Sequence, residues 1–269
     1  MFIPHARKAF VRHQGTYPEG ETSYAALKGF SLLGIETAPF YGFGDLETSG
    51  LANDTVVCGY VCDVREAFQR LNCPILAEVD YPKELRDYLG RNVRADKFGN
   101  VRYSTDRFFL KPVKQKLFTG HVRDGSHVDM LKTMHVSDDA DVWVSDVVGF
   151  TSEYRVFVMY GSIVGMKWYK GDPFIVPQKR IVLDAVSVYT TCGNVVRNDV
   201  PHACTIDFGV TKDDRTLVIE VNEGFAFGTY GLGPITYARM LDARWRQVVG
   251  CPPSEKIYVQ PMNGNEVSL

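Results

Sequence analysis

The stretch LVIEVNEGFAFGTYG, Leu217 to Gly231, sets the reading of this chain. Its first half is apolar until Glu220 and Asn222 appear two positions apart. A strand repeats every two residues. On that period TLVIEVN places Thr216, Val218, Glu220 and Asn222 on one face, and Leu217, Ile219 and Val221 on the other. The preceding strand-like segment, ACTIDFGV, offers Asp207, and the hydrophilic TKDDR between the two reads as a turn. If that turn sets Asp207 opposite Glu220, two carboxylates and an amide carbonyl converge on one face. Such a hard, oxygen-only donor set suits Mg²⁺, which keeps waters and phosphate oxygens as its other ligands. The same residues also read as a solvated sheet face carrying ordinary acids. Neither Asp207 nor Glu220 is expected in the core.

Upstream lies a basic stretch, RFFLKPVKQKLFTGHVR, Arg107 to Arg123, with Lys111, Lys114, Lys116 and His121 and no acid. Its FTGHVRDGS portion is a Gly-containing turn able to lay backbone N–H groups against a phosphate. Lys111 sits in the apolar context FFLKPV, where a lysine is costly without an anionic partner. It also reads as a lysine snorkelling at a strand end. A nucleic-acid groove stacking bases on Phe108, Phe109 and Phe118 is disfavoured, because the patch is short and the rest of the chain is not basic. Between the basic and acidic segments, VWVSDVVGFTSEYRVFV leads through Asp146 and a bend to Glu153 and Arg155. Those two share a strand face as a structural ion pair, or as a contact for a sugar hydroxyl and a phosphate.

Working outward, the N-terminal segments alternate helix and strand. YAALKGFSLLGI carries Leu27, Phe30 and Leu33 at helical spacing and ends at Gly34. NDTVVCGYV reads as a strand. DVREAFQRLNCP reads as a helix with Asp63 as N-cap and Pro74 beyond its end. YPKELRDYLGR is a further short helix, with Pro82 near its start. After it strands dominate. VFVMYGSIVGMKW is a hairpin turning at Tyr160-Gly161-Ser162. PITYARMLDARWRQVV is a closing helix with Ile235, Ala238, Met240, Leu241 and Trp245 on one side. The division expected is an α/β lobe over residues 1–75 and a larger α+β lobe over 76–269, with a small central subdomain at about 105–145.

The chain has 269 residues, a formal net charge of −2 and 45% hydrophobic residues, enough to bury a sizeable core. The balanced charge argues against nucleic acid or an anionic membrane as partner. No apolar run reaches the roughly 18 residues of a spanning helix, and MFIPHARKAFVRHQ lacks the apolar stretch of a secretory signal. Cys58, Cys62, Cys73, Cys192, Cys204 and Cys251 form no framework and no zinc spacing, which points to free thiols in a reducing cytosol. No motif names an oligomeric state.

Taken in order, these segments resemble the ATP-grasp proteins over about residues 91–232. FLKP and KLFTGHV resemble that family's lysine strand and small flexible Gly loop. Asp146 with the Val147-Val148 pair resembles the adenine hinge, and Glu153 the ribose contact. Asp207 followed after a hairpin by EVN resembles the family's metal-binding aspartate and Glu-x-Asn. SEYRVFVMYGSIVGMKWYKGD and IEVNEGFAFGTYGL are similar to a clade of ATP-grasp domains found in bacteria and phages. The resemblance implies an ATP-grasp fold of antiparallel sheets with flanking helices, preceded by a small α/β lobe.

It also implies roles. Lys111, with Lys116 and with Arg91 in place of a second phosphate-binding lysine, would contact the phosphates of ATP. Thr119 and Gly120 would fold over them. Asp146, Val147 and Val148 would face adenine, and Glu153 the ribose. Asp207, Glu220 and Asn222 would hold one or two Mg²⁺. Arg155 and Lys167 would act on the transferred phosphoryl group. The implied activity is an ATP-dependent carboxylate–amine ligase working through an acyl-phosphate on a small-molecule, amino-acid or peptide substrate, in bacterial or host cytoplasm. A phosphotransferase and a nucleotide-binding module without turnover are the alternatives. The chain departs from the family at Thr205, where many members carry an arginine two positions before the metal aspartate. Arg155, Arg180 and Arg197 are the candidates to replace it. It departs again in EGFAFGTYG, where Phe225, Phe227 and Tyr230 are expected to rim the substrate end.

Overall fold

The computed structural model describes residues 6–48, 50–114 and 117–250; Lys116 and Cys251 lie outside the described residues. The chain opens with β1 (Lys8–Gln14), β2 (Tyr17–Pro18), α1 (Gly20–Leu32), β3 (Glu36–Phe40), α2 (Phe43–Thr48), β4 (Thr55–Cys58) and α3 (Val61–Arg70). β3 and β4 flank β1 in parallel register, with Phe10 opposite both Ala38 and Val57. Parallel strands joined by crossover helices follow from the alternation of short apolar strands with helical segments. The N-cap of α3 is Tyr60, not Asp63. Asp63 sits one turn in and accepts the Tyr60 N–H at 2.8 Å, so it satisfies the end of the helix from the N3 position.

A 3₁₀ turn (Lys83–Tyr88) leads to β5 (Val93–Lys97), α4 (Phe98–Val101), β6 (Phe108–Pro112), β7 (His121–Arg123), α5 (His127–Lys132) and β8 (Asp141–Ser145). These strands pair antiparallel in the order β5-β8-β6-β7. Phe108 and Leu110 face a small core with Phe98, Val142 and Val144, which leaves Phe109 and Lys111 on the opposite face.

The rest comprises β9 (Phe150–Met159), β10 (Ser162–Gly171), α6 (Lys179–Thr190), β11 (Thr191–Cys192), β12 (Val195–Val196), β13 (Ala203–Thr211), β14 (Thr216–Glu223) and α7 (Pro234–Val248). Its main sheet runs β10-β9-β13-β14, all antiparallel. The β9–β10 hairpin turns on Tyr160 and Gly161, both at positive φ (50° and 72°), the geometry a two-residue turn requires. One face of this sheet packs Val156, Val158, Ile206, Phe208, Val218 and Val221 against Val182, Ala185, Val186 and Tyr189 of α6. α7 packs on α1, and its Tyr237, Ala238, Leu241 and Trp245 join the core of β1, β3 and β4. Ile235, expected on that buried side, is exposed at the start of the helix. No helix among the described residues is long and apolar enough to cross a membrane.

β14 does not keep a strict two-residue alternation. Asp207 pairs with Glu220 but the next residue, Phe208, pairs with Val218, so Ile219 is an extra residue in a bulge. Val218 therefore joins Val221 in the core instead of sharing a face with Glu220 and Asn222. Arg91 satisfies the backbone at the bulge: its Nη1 donates to Val218 O at 2.8 Å and its Nη2 to Ile219 O at 2.7 Å. Val221 N–H donates to Asp80 O at 2.9 Å, so the outer edge of β14 is met there by the segment between α3 and the 3₁₀ turn.

Candidate active site

The bulge sets one row of four charged residues across the main sheet. Lys167 on β10 pairs with Arg155 on β9, Arg155 with Asp207 on β13, and Asp207 with Glu220 on β14. The TKDDR turn fixes the last pairing. Its Thr211 N–H donates to Arg215 O at 2.9 Å and its Asp214 N–H to Thr211 O at 3.0 Å.

Within the row, Arg155 and Asp207 meet at close range. Arg155 grips Asp207 in a fork, Nε to Oδ1 at 2.8 Å and Nη2 to Oδ2 at 2.7 Å. Both are buried, which corrects the expectation that Asp207 lies outside the core: it is 2% exposed. Burial pushes the Asp207 carboxyl above its ordinary range, against the pull of Arg155. Asn222 Nδ2 approaches Asp207 Oδ2 at 3.4 Å. Glu220, part-exposed, accepts from Lys111 Nζ at 2.6 Å. The same ammonium donates to Asp80 Oδ1. Burial works against the charge on Lys111, but Glu220 and Asp80 outweigh it and hold the ammonium above its usual range. The side chain of Lys167, half-buried, has no ion pair or hydrogen bond among the described residues.

Two cavities flank Glu220. One, of about 370 Å³, is lined by Arg91, Asp146, Val147, Val148, Phe150 and Glu153, with Tyr81 and Tyr169 beside them. Val147 and Val148 lie between β8 and β9, outside the sheet ladders. Gly209 makes room for Phe150, because a Cβ there would come within 2.2 Å of the Phe150 ring. The other cavity, of about 340 Å³, is lined by Lys111, Phe118, Gly120, Glu220 and Asn222. Thus Arg91, Asp146, Val147, Val148, Glu153 and Glu220 share one cavity, and Lys111, Gly120, Glu220 and Asn222 the other. Thr119 is exposed and lines neither, although its carbonyl contacts His121 Nδ1 at 2.9 Å. Asp146 is already committed, accepting from Asn92 N and Nδ2, both at 3.0 Å. Glu153 accepts from Lys170 at 2.6 Å.

Of the three arginines proposed to replace one at Thr205, only Arg155 is at this site. Arg180 is exposed beside Asp184, and Arg197 binds Glu84 and Asp199. The aromatic rim also differs from expectation. Phe225 and Phe227 are buried in the core, and only Tyr230 reaches the site. Its ring lies 4.9 Å from the Arg155 guanidinium and stacks on Tyr169 at 5.1 Å.

Sequence reasoning missed Asp80, Trp143, Phe150 and Tyr169. Phe150 had a signal, the glycine within the apolar strand DFGV. Asp80 had none beyond its place before a helix start, because its partners Lys111 and Glu220 come from distant elements.

Residues 88–240, more than half of the chain, match a family described as an ATP-grasp domain, the second family of its clade. No curated protein matches the chain. Among solved structures it is similar to a D-cycloserine synthetase at 12% identity and TM-score 0.56, with 88% of this chain and 99% of that one covered. It is similar to the D-alanine–D-alanine ligase of Bacillus anthracis complexed with ATP, at 13% identity and TM-score 0.54, covering 90% and 96%. It is also similar to the L-amino acid ligase of Bacillus licheniformis, at 12% identity and TM-score 0.52, covering 91% and 75%. At these identities the likeness establishes the fold, an ATP-grasp arrangement of antiparallel sheets and flanking helices.

Proposed function

This chain belongs to the ATP-grasp family, and from that premise we propose that it is an ATP-dependent carboxylate–amine ligase. The observation that carries the reading is the row Lys167, Arg155, Asp207, Glu220, with Lys111 reaching Glu220 from the facing sheet. Arg155 binds Asp207 and Lys111 binds Glu220 directly, beside a cavity lined by Val147 and Val148. D-Alanine–D-alanine ligase and L-amino acid ligase, both of this fold, act on amino acids, which supports an amino-acid or peptide substrate.

Mg²⁺ fits the residues present. Glu220 and Asn222 line one cavity with hard oxygen donors, and the Lys111 ammonium already stands against Glu220 as a cation would. Asp207, both of whose oxygens accept from Arg155, would join the set by giving up one of those bonds. Among the described residues no three His, Cys, Asp or Glu side chains converge on a point, so phosphate oxygens would complete the shell. When bound, the ion neutralises charge on the β- and γ-phosphates.

In this reading Val147 and Val148 present backbone to adenine and Glu153 holds the ribose. Lys111 and Gly120 engage the phosphates, with Thr119 next to Gly120 in the same loop. Asp146 keeps the hinge in place through Asn92. Arg91 supports the bulge and lines the same cavity, where it would reach a phosphate. The acceptor carboxylate attacks the γ-phosphorus, the bond to ADP breaks, and Arg155 and Lys167 stabilise charge on the transferring group. An amine then attacks the acyl carbon and phosphate leaves. The free thiols of Cys58, Cys62, Cys73, Cys192 and Cys204 support a reducing cytoplasm, bacterial or host, as the compartment.

The test is incubation with ATP, Mg²⁺ and pooled amino acids and peptides, read by mass spectrometry. Amine-dependent ADP release with a product mass matching an amide is expected. A stable phosphorylated product identifies a phosphotransferase and overturns the ligase reading; nucleotide binding without turnover across a broad pool favours a binding module.

A further inference from the structure

The two carboxylates that share the Lys111 ammonium are not equivalent. Glu220 lines both cavities and is part-exposed. Asp80 is 2% exposed and lines neither. Asp80 is also fixed on three sides. Its Oδ1 accepts from Lys111, its Oδ2 from Trp143 Nε1 at 3.3 Å, and its carbonyl from Val221 N. Trp143 is the cross-strand partner of Lys111, and Val221 directly follows Glu220. Asp80 therefore ties the lysine strand to the metal strand, and Glu220 is the partner free to change.

We propose that Asp80 is a positioning residue that retains Lys111 when Glu220 is given over to the divalent cation, so that nucleotide and cation binding are coupled through Asp80, Lys111 and Glu220. This rests on the nucleotide-binding reading above. Before nucleotide binds, the ammonium stands against Glu220 and repels a divalent cation. A phosphate offers the ammonium a new acceptor, and Glu220 is released. An ammonium has three donors, so Lys111 can hold Asp80 and a phosphate oxygen together. Without Asp80 the lysine would be left buried whenever the cation took Glu220, and would compete to keep it. The two binding events would then oppose each other.

The experiment is calorimetric titration of the full chain with ADP, in EDTA and in saturating Mg²⁺. The coupling factor is the ratio of the two dissociation constants. In the parent it is expected in the usual range of about 5- to 150-fold, and Asp80→Asn should bring it to within about threefold of unity. Asn keeps the shape and an acceptor for Trp143, and circular dichroism checks that the variant folds. A purely packing role would weaken ADP equally with and without Mg²⁺. A folded Asp80→Asn protein with the parental factor, or with equal losses, overturns the proposal. A second arm needs no nucleotide. Lys111→Met leaves Asp80 and Glu220 facing each other without their ammonium. That variant should bind Mn²⁺, read by electron paramagnetic resonance, about tenfold or more tighter than the parent. It should lose the gain in Lys111→Met/Asp80→Asn. Equal Mn²⁺ binding by parent and Lys111→Met overturns the proposal, and this arm decides the matter alone if Asp80→Asn does not fold. Absence of amide product sinks the ligase reading and leaves both binding arms intact.

Discussion

Replacing Arg155 by Met should unfold this protein more readily than almost any other single change in the site. Arg155 is 8% exposed and its fork takes both oxygens of an aspartate that is 2% exposed. Truncation leaves Asp207 buried without its counter-ion, which costs about 3–5 kcal/mol. Loss of the Tyr230 contact at 4.9 Å adds roughly 0.5–1 kcal/mol. The cost must depend on pH, and its sign can be worked out. Burial already raises the Asp207 carboxyl, and removing Arg155 raises it further. A carboxyl raised in the folded state favours folding when protonated, at pH below its unfolded value of about 4. That contribution disappears as pH rises through the folded value. The destabilisation by Arg155→Met should therefore be smallest near pH 4, grow as pH rises, and then level off. Urea unfolding of parent, Arg155→Met, Asp207→Asn and the double variant, across that range, is the assay. The double variant should recover more than half of the loss, because no unpaired charge remains. A cost below about 1 kcal/mol at neutral pH, or one that shrinks as pH rises, would refute the buried ion pair.

Three further outcomes follow from the geometry. Glu220→Gln should lower Mg²⁺-dependent ATP turnover by about 100-fold or more, while its melting temperature stays near the parent's, because the side chain is part-exposed; turnover near the parental rate would remove Glu220 from the metal set. Gly209→Ala should cost about 1–3 kcal/mol and weaken ADP binding, because the new Cβ meets the Phe150 ring at 2.2 Å; unchanged ADP affinity would separate Phe150 from the proposed nucleotide site. His202, 3% exposed, is pushed down to about 4 by burial and by Arg244 and Arg246. Its unfolded value is near 6.5, so stability should fall on the order of 3 kcal/mol between about pH 6.5 and 4. His202→Gln should flatten that part of the stability profile, and an unchanged profile would show that His202 is not the group responsible.

The pairing of β13 with β14 was legible because a short polar turn joins two apolar segments, and that fixes which residues face each other. The bulge at Ile219 was not legible, since an extra residue in a strand leaves no mark on composition. It decides whether Val218 faces Glu220 or the core. Lys111 was legible from its cost, a lysine among Phe108, Phe109 and Leu110 requiring an anion. One of its anions, Asp80, was hidden because only tertiary packing brings it there. The burial of Asp207 was hidden for a related reason: an acid in a strand reads as exposed unless its arginine on the neighbouring strand is known. The helix α6 carried a signal that went unread. Val182, Ala185, Val186 and Tyr189 are spaced for one helical face, but a segment rich in valine and isoleucine resembles strand.

The central claim is that ATP activates a carboxylate by phosphorylation before an amine displaces the phosphate. Acceptor substrate labelled with ¹⁸O in its carboxylate tests it most directly, with the inorganic phosphate analysed by mass spectrometry. Appearance of one ¹⁸O atom in phosphate, in step with ADP and amide, is the predicted result. Amide formed with unlabelled phosphate, or label retained in a stable phosphorylated product, would contradict it.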